Sequence, residues 1–312
     1  MSNVQVSKRS VLVGRWLIVA AAVLWSTSGF FAKAPWFAAW PLDARGPLMA
    51  FWRTLFAGLC LVPWVRRPRW TWWLVPATLS FALMSITYLC AITRTTAANA
   101  IWLQSTAPLW VFLMGITILR EKVRRADWLM LVAVAAGVGF IITCEVRSST
   151  STPEQLTGVL LALTSGVLYA LVVVFVRALR DLDSAWLISL NLLVTAVVLL
   201  PYVLYRGLGA SQTQILWLSA FGVFQMGLPY LLFARGLRVI PGHEASFICL
   251  LEPVLVPIWV WLSWRHHPSY QPPAWWTYVG GGLILIGLFA RFSMLTPEVN
   301  GDATSSAPPT SK

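Results

Sequence analysis

Apolar runs of roughly 17 to 22 residues recur along nearly the whole chain, separated by short breaks that carry Arg, Pro or Gly. At 1.5 Å per residue such a run crosses the hydrocarbon of a bilayer. Inside hydrocarbon every backbone N–H and C=O needs a partner within the spanning structure, which points these runs to helices. They lie near residues 16–33, 47–65, 71–92, 97–119, 127–144, 157–177, 185–205, 214–234, 245–264 and 274–290. The expected fold class is an all-α integral membrane protein with about ten transmembrane helices. The chain is 58% hydrophobic and 11% charged, where a soluble domain carries about a quarter charged residues.

The net charge of +12 does not point to nucleic acid, because the basic residues sit in the breaks rather than along one soluble face. If the N-terminus is cytoplasmic, sixteen of the 23 Lys and Arg fall in inside breaks, six in outside breaks, and Arg53 falls within a run. By the positive-inside rule both termini are expected in the cytoplasm. With no organelle-targeting extension before the first run, the expected location is the plasma membrane of a prokaryote. The four cysteines have no metal or redox spacing and read as packing residues. No cofactor is expected.

The chain also repeats itself. "LWSTSGFFAKA" places Trp25 eight residues before Lys33, and "LYALVVVFVRA" places Tyr169 eight before Arg177. Arg53 precedes Pro63 by ten, as Asn191 precedes Pro201. "YLCAITRTTAANAIWLQSTAPLW" and "YLLFARGLRVIPGHEASFICLLEPVL" each open on a Tyr, pass a basic turn and continue into an apolar helix with Pro108 or Pro253 in its middle. The order is preserved at a shift of roughly 140 to 150 residues. Five runs per half, an odd number, force the second half to enter from the opposite side, and inverted repeats mark carriers that alternate access around a midplane site. The expected units are a first five-helix repeat over 1–147, a second over 148–293 and a disordered polar tail over 294–312.

These stretches, with "FWRTLFAGLCLVP", "LREKV" and "ARGLRVIPGHEASFICLLEPVLVP", resemble the drug/metabolite transporter superfamily, and within it the EamA-like ten-helix permeases, over about residues 14 to 291. The resemblance implies a secondary transporter of a small organic metabolite. It also implies an acidic turn after the fourth run, matched by Glu121, and its counterpart after the ninth, where this chain reads "WRHHPSYQPPAWW" with no acid.

Glu252 stands in the apolar run Ser246 to Trp264, where a bare carboxylate must be paired, protonated or facing a wet cavity. Three roles remain open for it: proton coupling, contact with a cationic or polar substrate, and holding the helix through a basic or hydroxyl partner. Pro253 and Pro257 free carbonyls within the same run, and Pro108 gives the first half a related break. Arg53 reads either as a residue snorkelling to the interface or as a clamp for a substrate carboxylate or phosphate. Polar groups within runs, namely Trp25, Ser26, Thr27, Tyr88, Asn99, Gln104, Tyr169, Asn191, Gln225 and Tyr230, serve either as interhelical hydrogen bonds or as a cavity lining. "RWTWW", "PAWWTY" and "PWFAAW" read as interfacial belts. "GVGF" and "GGGLILIG" read as helix-packing faces. His243, His266 and His267 lack a zinc motif and read as residues at run ends.

The leading function is a secondary carrier, with protons as a candidate coupling ion, the lipid bilayer as its surroundings and a homodimer as a candidate assembly. No nucleotide-binding motif is present. The alternatives are an intramembrane enzyme acting on lipid-linked substrates, for which the acidic and His content within the runs is poor, and a channel or non-transporting scaffold.

Overall fold

A computed structural model describes residues 8–119, 125–149 and 151–294. Glu121 and the tail beyond Met294 lie outside the described residues, as does the side chain of His243. All regular structure among the described residues is helical.

The first half comprises α1 (Lys8–Ser26), α2 (Ser28–Ala32), α3 (Leu42–Leu61), α4 (Leu74–Arg94), α5 (Ala97–Gln104), α6 (Ala107–Leu119) and α7 (Arg125–Arg147). The second comprises α8 (Pro153–Ala178), α9 (Ser184–Arg206), α10 (Gln212–Gly222), α11 (Leu228–Gly236), α12 (Gly242–Ile248), α13 (Leu251–Trp264) and α14 (Trp275–Met294). Nine helical stretches among the described residues are long and apolar enough to cross a membrane, and α14 follows them as a further 20-residue helix. The protein is a multi-span helical membrane protein.

The helices start and stop where capping chemistry allows. Thr152 with Gln155, and Ser211 with Gln214, close reciprocal capping boxes at α8 and α10. Asp183 caps α9, and Gly207, at φ +58°, ends it in the left-handed region.

Besides the first run, which breaks at Thr27 between α1 and α2 without a proline, three runs are not continuous α-helices, and proline accounts for each of the three. Pro108 and Pro253 cannot donate to the carbonyls of Gln104 and Cys249, four residues back. The helices accordingly break at Ser105–Thr106 and at Cys249–Leu250, one turn ahead of the prolines rather than at them. Pro229 likewise leaves the carbonyl of Gln225 without its α-helical donor, and Val223–Gly227 forms a π turn between α10 and α11. Pro257 stays inside α13, and the carbonyl it orphans, that of Pro253, accepts a hydrogen bond from Trp102 Nε1 at 2.8 Å.

Partners come from opposite halves: α1 packs on α11, α3 on α9, α4 on α8 and α7 on α14. The connections sort into two ends. At the end carrying the N-terminus, Arg15 pairs with Glu244, Arg291 with Asp127 at 3.0 Å, and the backbone N–H groups of Arg66 and Arg67 reach Asp183. At the opposite end Lys33 donates to the Thr95 carbonyl, Arg206 pairs with Asp43 at 2.7 Å, and Trp276 donates to Glu145.

The glycine faces pack in part. A Cβ on Gly137 would lie 2.5 Å from the Gly280 carbonyl oxygen, whereas Gly139 and Gly282 face open space. The aromatic belts also divide. Trp70, Trp72 and Trp73 are exposed, but in "PWFAAW" Phe37 and Trp40 are buried, and Trp40 donates to the Gly209 carbonyl.

Candidate functional site

Arg53, carried into the interior by α3, does not snorkel: it is 2% exposed. Its Nη2 donates to Ser85 Oγ at 2.8 Å, its Cζ lies 5.1 Å from the centroid of the Phe221 ring, and its Nε has no partner among the described residues. Leaving a buried donor unmet costs roughly 1–3 kcal/mol. The close approach that holds Arg53 comes from Gly222, where a Cβ would stand 2.6 Å from the Arg53 carbonyl oxygen.

Glu252 sits in the first turn of α13, just past the break after Cys249, and keeps part of its surface accessible. Among the described residues no hydrogen bond or ion pair reaches its carboxylate. Arg53, Tyr88, Tyr169 and Tyr230 are all within electrostatic reach of it. Five helices, α3, α4, α8, α11 and α13, therefore converge on one place. Tyr169 keeps 42% of its surface accessible there. Where these helices meet, Glu252, Tyr169 and Tyr230 keep part of their surface accessible, while Arg53 and Tyr88 are buried.

The rim is tied together by polar side chains of both halves. Tyr88 and Ser28 hydroxyls are 2.9 Å apart. Gln225, from the π turn, donates to the Trp25 carbonyl and leaves its own Oε1 unpartnered. The Trp25 ring meets Tyr230 edge-on at 5.3 Å, and Trp259 Nε1 donates to Ser26 Oγ at 2.8 Å. Asn99 and Asn191 are buried, each with an unpartnered Oδ1. The described hydrogen bonds of Asn99 run to Thr95 and Thr96 at the gap between α4 and α5, and none joins Asn191 or Gln104 to the group around Glu252.

Toward the end opposite the N-terminus, stacked aromatics of both halves lie beside this group. Phe221, whose ring faces Arg53, stacks on Phe31 at 5.3 Å and 15°. Phe30 stacks on Trp264 at 5.6 Å and 12°, and Trp217 fills the space beside both phenylalanines. Trp264 Nε1 also donates to the Phe30 carbonyl. No described hydrogen bond or ring contact joins α6 to α12 or α13 toward the other end. Among the described residues no cluster of His, Cys, Asp and Glu is fit to hold a metal.

Sequence reasoning singled out Glu252, Arg53, Trp25, Tyr88, Tyr169, Gln225 and Tyr230, and the structure brings these together. It did not single out Ser28, Ser85, Trp102, Phe221 and Trp259. The aromatic ones read as ordinary apolar residues, and only the fold shows which of the 19 tryptophans turns its N–H inward.

A bundle of helices long enough to cross a membrane, with broken spans and charged residues in its interior, is the architecture of polytopic membrane transport proteins. The sequence pattern of the EamA-like transporter family matches residues 12–143 and again 156–292, so the chain belongs to that family. An uncharacterized transporter of Archaeoglobus fulgidus is 28% identical over 253 residues, 79% of this chain and 86% of the relative. The uncharacterized transporter YwfM of Bacillus subtilis is 24% identical over 76% of this chain and 81% of its own length. One solved crystal structure shares the fold with TM-score 0.59 and 18% identity, covering 92% of this chain and 96% of that one.

Proposed function

We propose that the protein is a secondary carrier that moves a small organic metabolite across the plasma membrane by alternating access, with both termini in the cytoplasm. The observation that carries this reading is the pair of charges in the interior: a buried, incompletely partnered Arg53 lies within electrostatic reach of a partly accessible Glu252 where helices of both halves meet. A fixed cation with spare hydrogen-bonding capacity suits an anionic group of the solute. A carboxylate with no hydrogen-bond or ion-pair partner among the described residues suits a proton or a cationic group.

Residues 1–147 and 148–293 act as two inverted five-helix repeats. Supporting this, the family pattern matches twice. The packing also largely maps onto itself when each span is exchanged for its counterpart in the other half: α1 on α11 becomes α8 on α4, while α3 on α9 and α7 on α14 map onto themselves. Trp25 and Tyr169, and Tyr88 and Tyr230, correspond between halves, and all four lie around Glu252 or its rim. The halves rock about this site, and the aromatic stack is the outer seal of the cytoplasm-facing state. Protons drive transport only through a different affinity of Glu252 for them in the two states.

Reconstituted protein tests this reading. Pooled amino acids, nucleosides, sugar derivatives and organic cations are offered in counterflow, with and without an imposed pH gradient. Saturable, exchange-accelerated flux of one pool is expected. Absence of flux from folded protein across all pools would contradict it.

A further inference from the structure

The connection after α3, "RRPRW", meets the connections after α8 and α11 at the N-terminal end of the bundle. Together they line a cleft of about 450 Å³ with Arg66, Arg67, Arg69, Asp181, Asp183 and Arg238. Four cations against two acids already make it electropositive. Asp183 is occupied besides: its Oδ2 accepts from the backbone N–H of Arg66 at 2.8 Å and of Arg67 at 3.1 Å, and its Oδ1 from Ala185 at 2.9 Å. Trp186 Nε1 holds the Arg69 carbonyl at 2.9 Å. The backbone of the arginine run is therefore fixed by its neighbours, while its guanidinium groups have no ion-pair partner among the described residues.

Charge bias at one face of a membrane protein accounts for arginines near the surface, but not for their convergence, from both halves of the chain, on one cleft with an anchored backbone. The cleft's depth is marked by the tryptophans beside it. Trp64, Trp70, Trp72 and Trp73 are 45 to 80% exposed, as interfacial anchors are, and Arg235 lies over the Trp64 ring at 5.0 Å. Arginine presents a planar fork matched to phosphate oxygens, and basic pockets between spans at this depth hold anionic headgroups. We infer that the cleft is a binding site for the phosphate of an anionic phospholipid headgroup, which bridges the two halves of the bundle through Arg66, Arg67, Arg69 and Arg238. Bound there, the lipid would tie the two halves together at this end.

The test is native mass spectrometry of the full chain released from vesicles of phosphatidylglycerol and phosphatidylcholine, with the thermal unfolding midpoint read in parallel. The expected result is selective retention of phosphatidylglycerol and a raised midpoint. The joint substitution of Arg66, Arg67, Arg69 and Arg238 by Gln should cut retention at least about tenfold. Arg177→Gln with Arg180→Gln, on the same end but outside the cleft, should not. If the fourfold variant does not fold, Arg69→Gln with Arg238→Gln keeps one cation from each half out of the cleft and should still lower retention several-fold. Equal loss in the control pair, or undiminished retention in the cleft variants, would overturn the inference. So would inorganic phosphate alone raising the midpoint as far as the lipid does, because the occupant would then be a free anion.

Discussion

Two charges define the site at the scale of single residues. Glu252→Gln keeps the shape of its side chain and removes the exchangeable proton. Flux in the variant is expected to lose its dependence on an imposed pH gradient while the protein stays folded, and an unchanged dependence would remove Glu252 from coupling. Arg53→Lys keeps the charge but not the fork that reaches Ser85. It should weaken transport of an anionic solute about tenfold or more, read as a raised half-saturation concentration. Asp183, outside the spans, behaves differently. Partial burial opposes its charge, but backbone N–H groups of Arg66, Arg67, Ala185 and Trp186 outweigh that and hold its carboxyl below the usual carboxylate range. A lowered native pKa stabilises the fold above the ordinary Asp range, and the contribution fades as pH falls through the native value. Asp183→Ala should therefore lower stability at neutral pH by about 1 kcal/mol, the loss expected for an N-cap, read in the unfolding midpoint. The difference from the parent protein should shrink in acid.

The broken fourth and ninth spans carry the argument at the scale of elements. Trp102 on α5 donates to the carbonyl that Pro257 frees in α13, and its indole lies flat against Gly281 of α14. A Cβ on Gly281 would fall 1.9 Å from Trp102 Cε3, which the rigid ring cannot yield. Gly281→Ala is expected to destabilise by about 1–3 kcal/mol. Trp102→Leu in the same chain should relieve the clash while sacrificing the hydrogen bond. Additive losses in the double variant would show that the two residues do not meet.

These elements also show what was legible in the sequence. The run lengths disclosed the spans, and the two glutamate- or proline-bearing breaks were visible because proline's missing N–H is a local property. The position of each break, one turn ahead of its proline, was not, since it depends on which carbonyl gives way. The π turn was missed for the same reason. Of the site, isolated charges and polar groups in apolar runs stood out, whereas Ser28, Ser85 and Phe221 did not. Nothing about a serine or phenylalanine in a helix says which neighbour it will face.

At the scale of the whole molecule, helices of both halves pack around one group of charges, with a single described aromatic seal between the halves. Phe30 and Phe31 of α2 close on Trp217 of α10 and Trp264 of α13, so this seal joins the first half to the second. Alternating access requires it to part once per cycle. The most direct measurement is therefore counterflow by a variant whose four native cysteines are replaced, carrying Phe30→Cys and Trp217→Cys, before and after treatment with a short thiol cross-linker cleavable by reductant. The account predicts that flux falls to background on cross-linking and returns on cleavage. Undiminished flux through a fully cross-linked protein would contradict it.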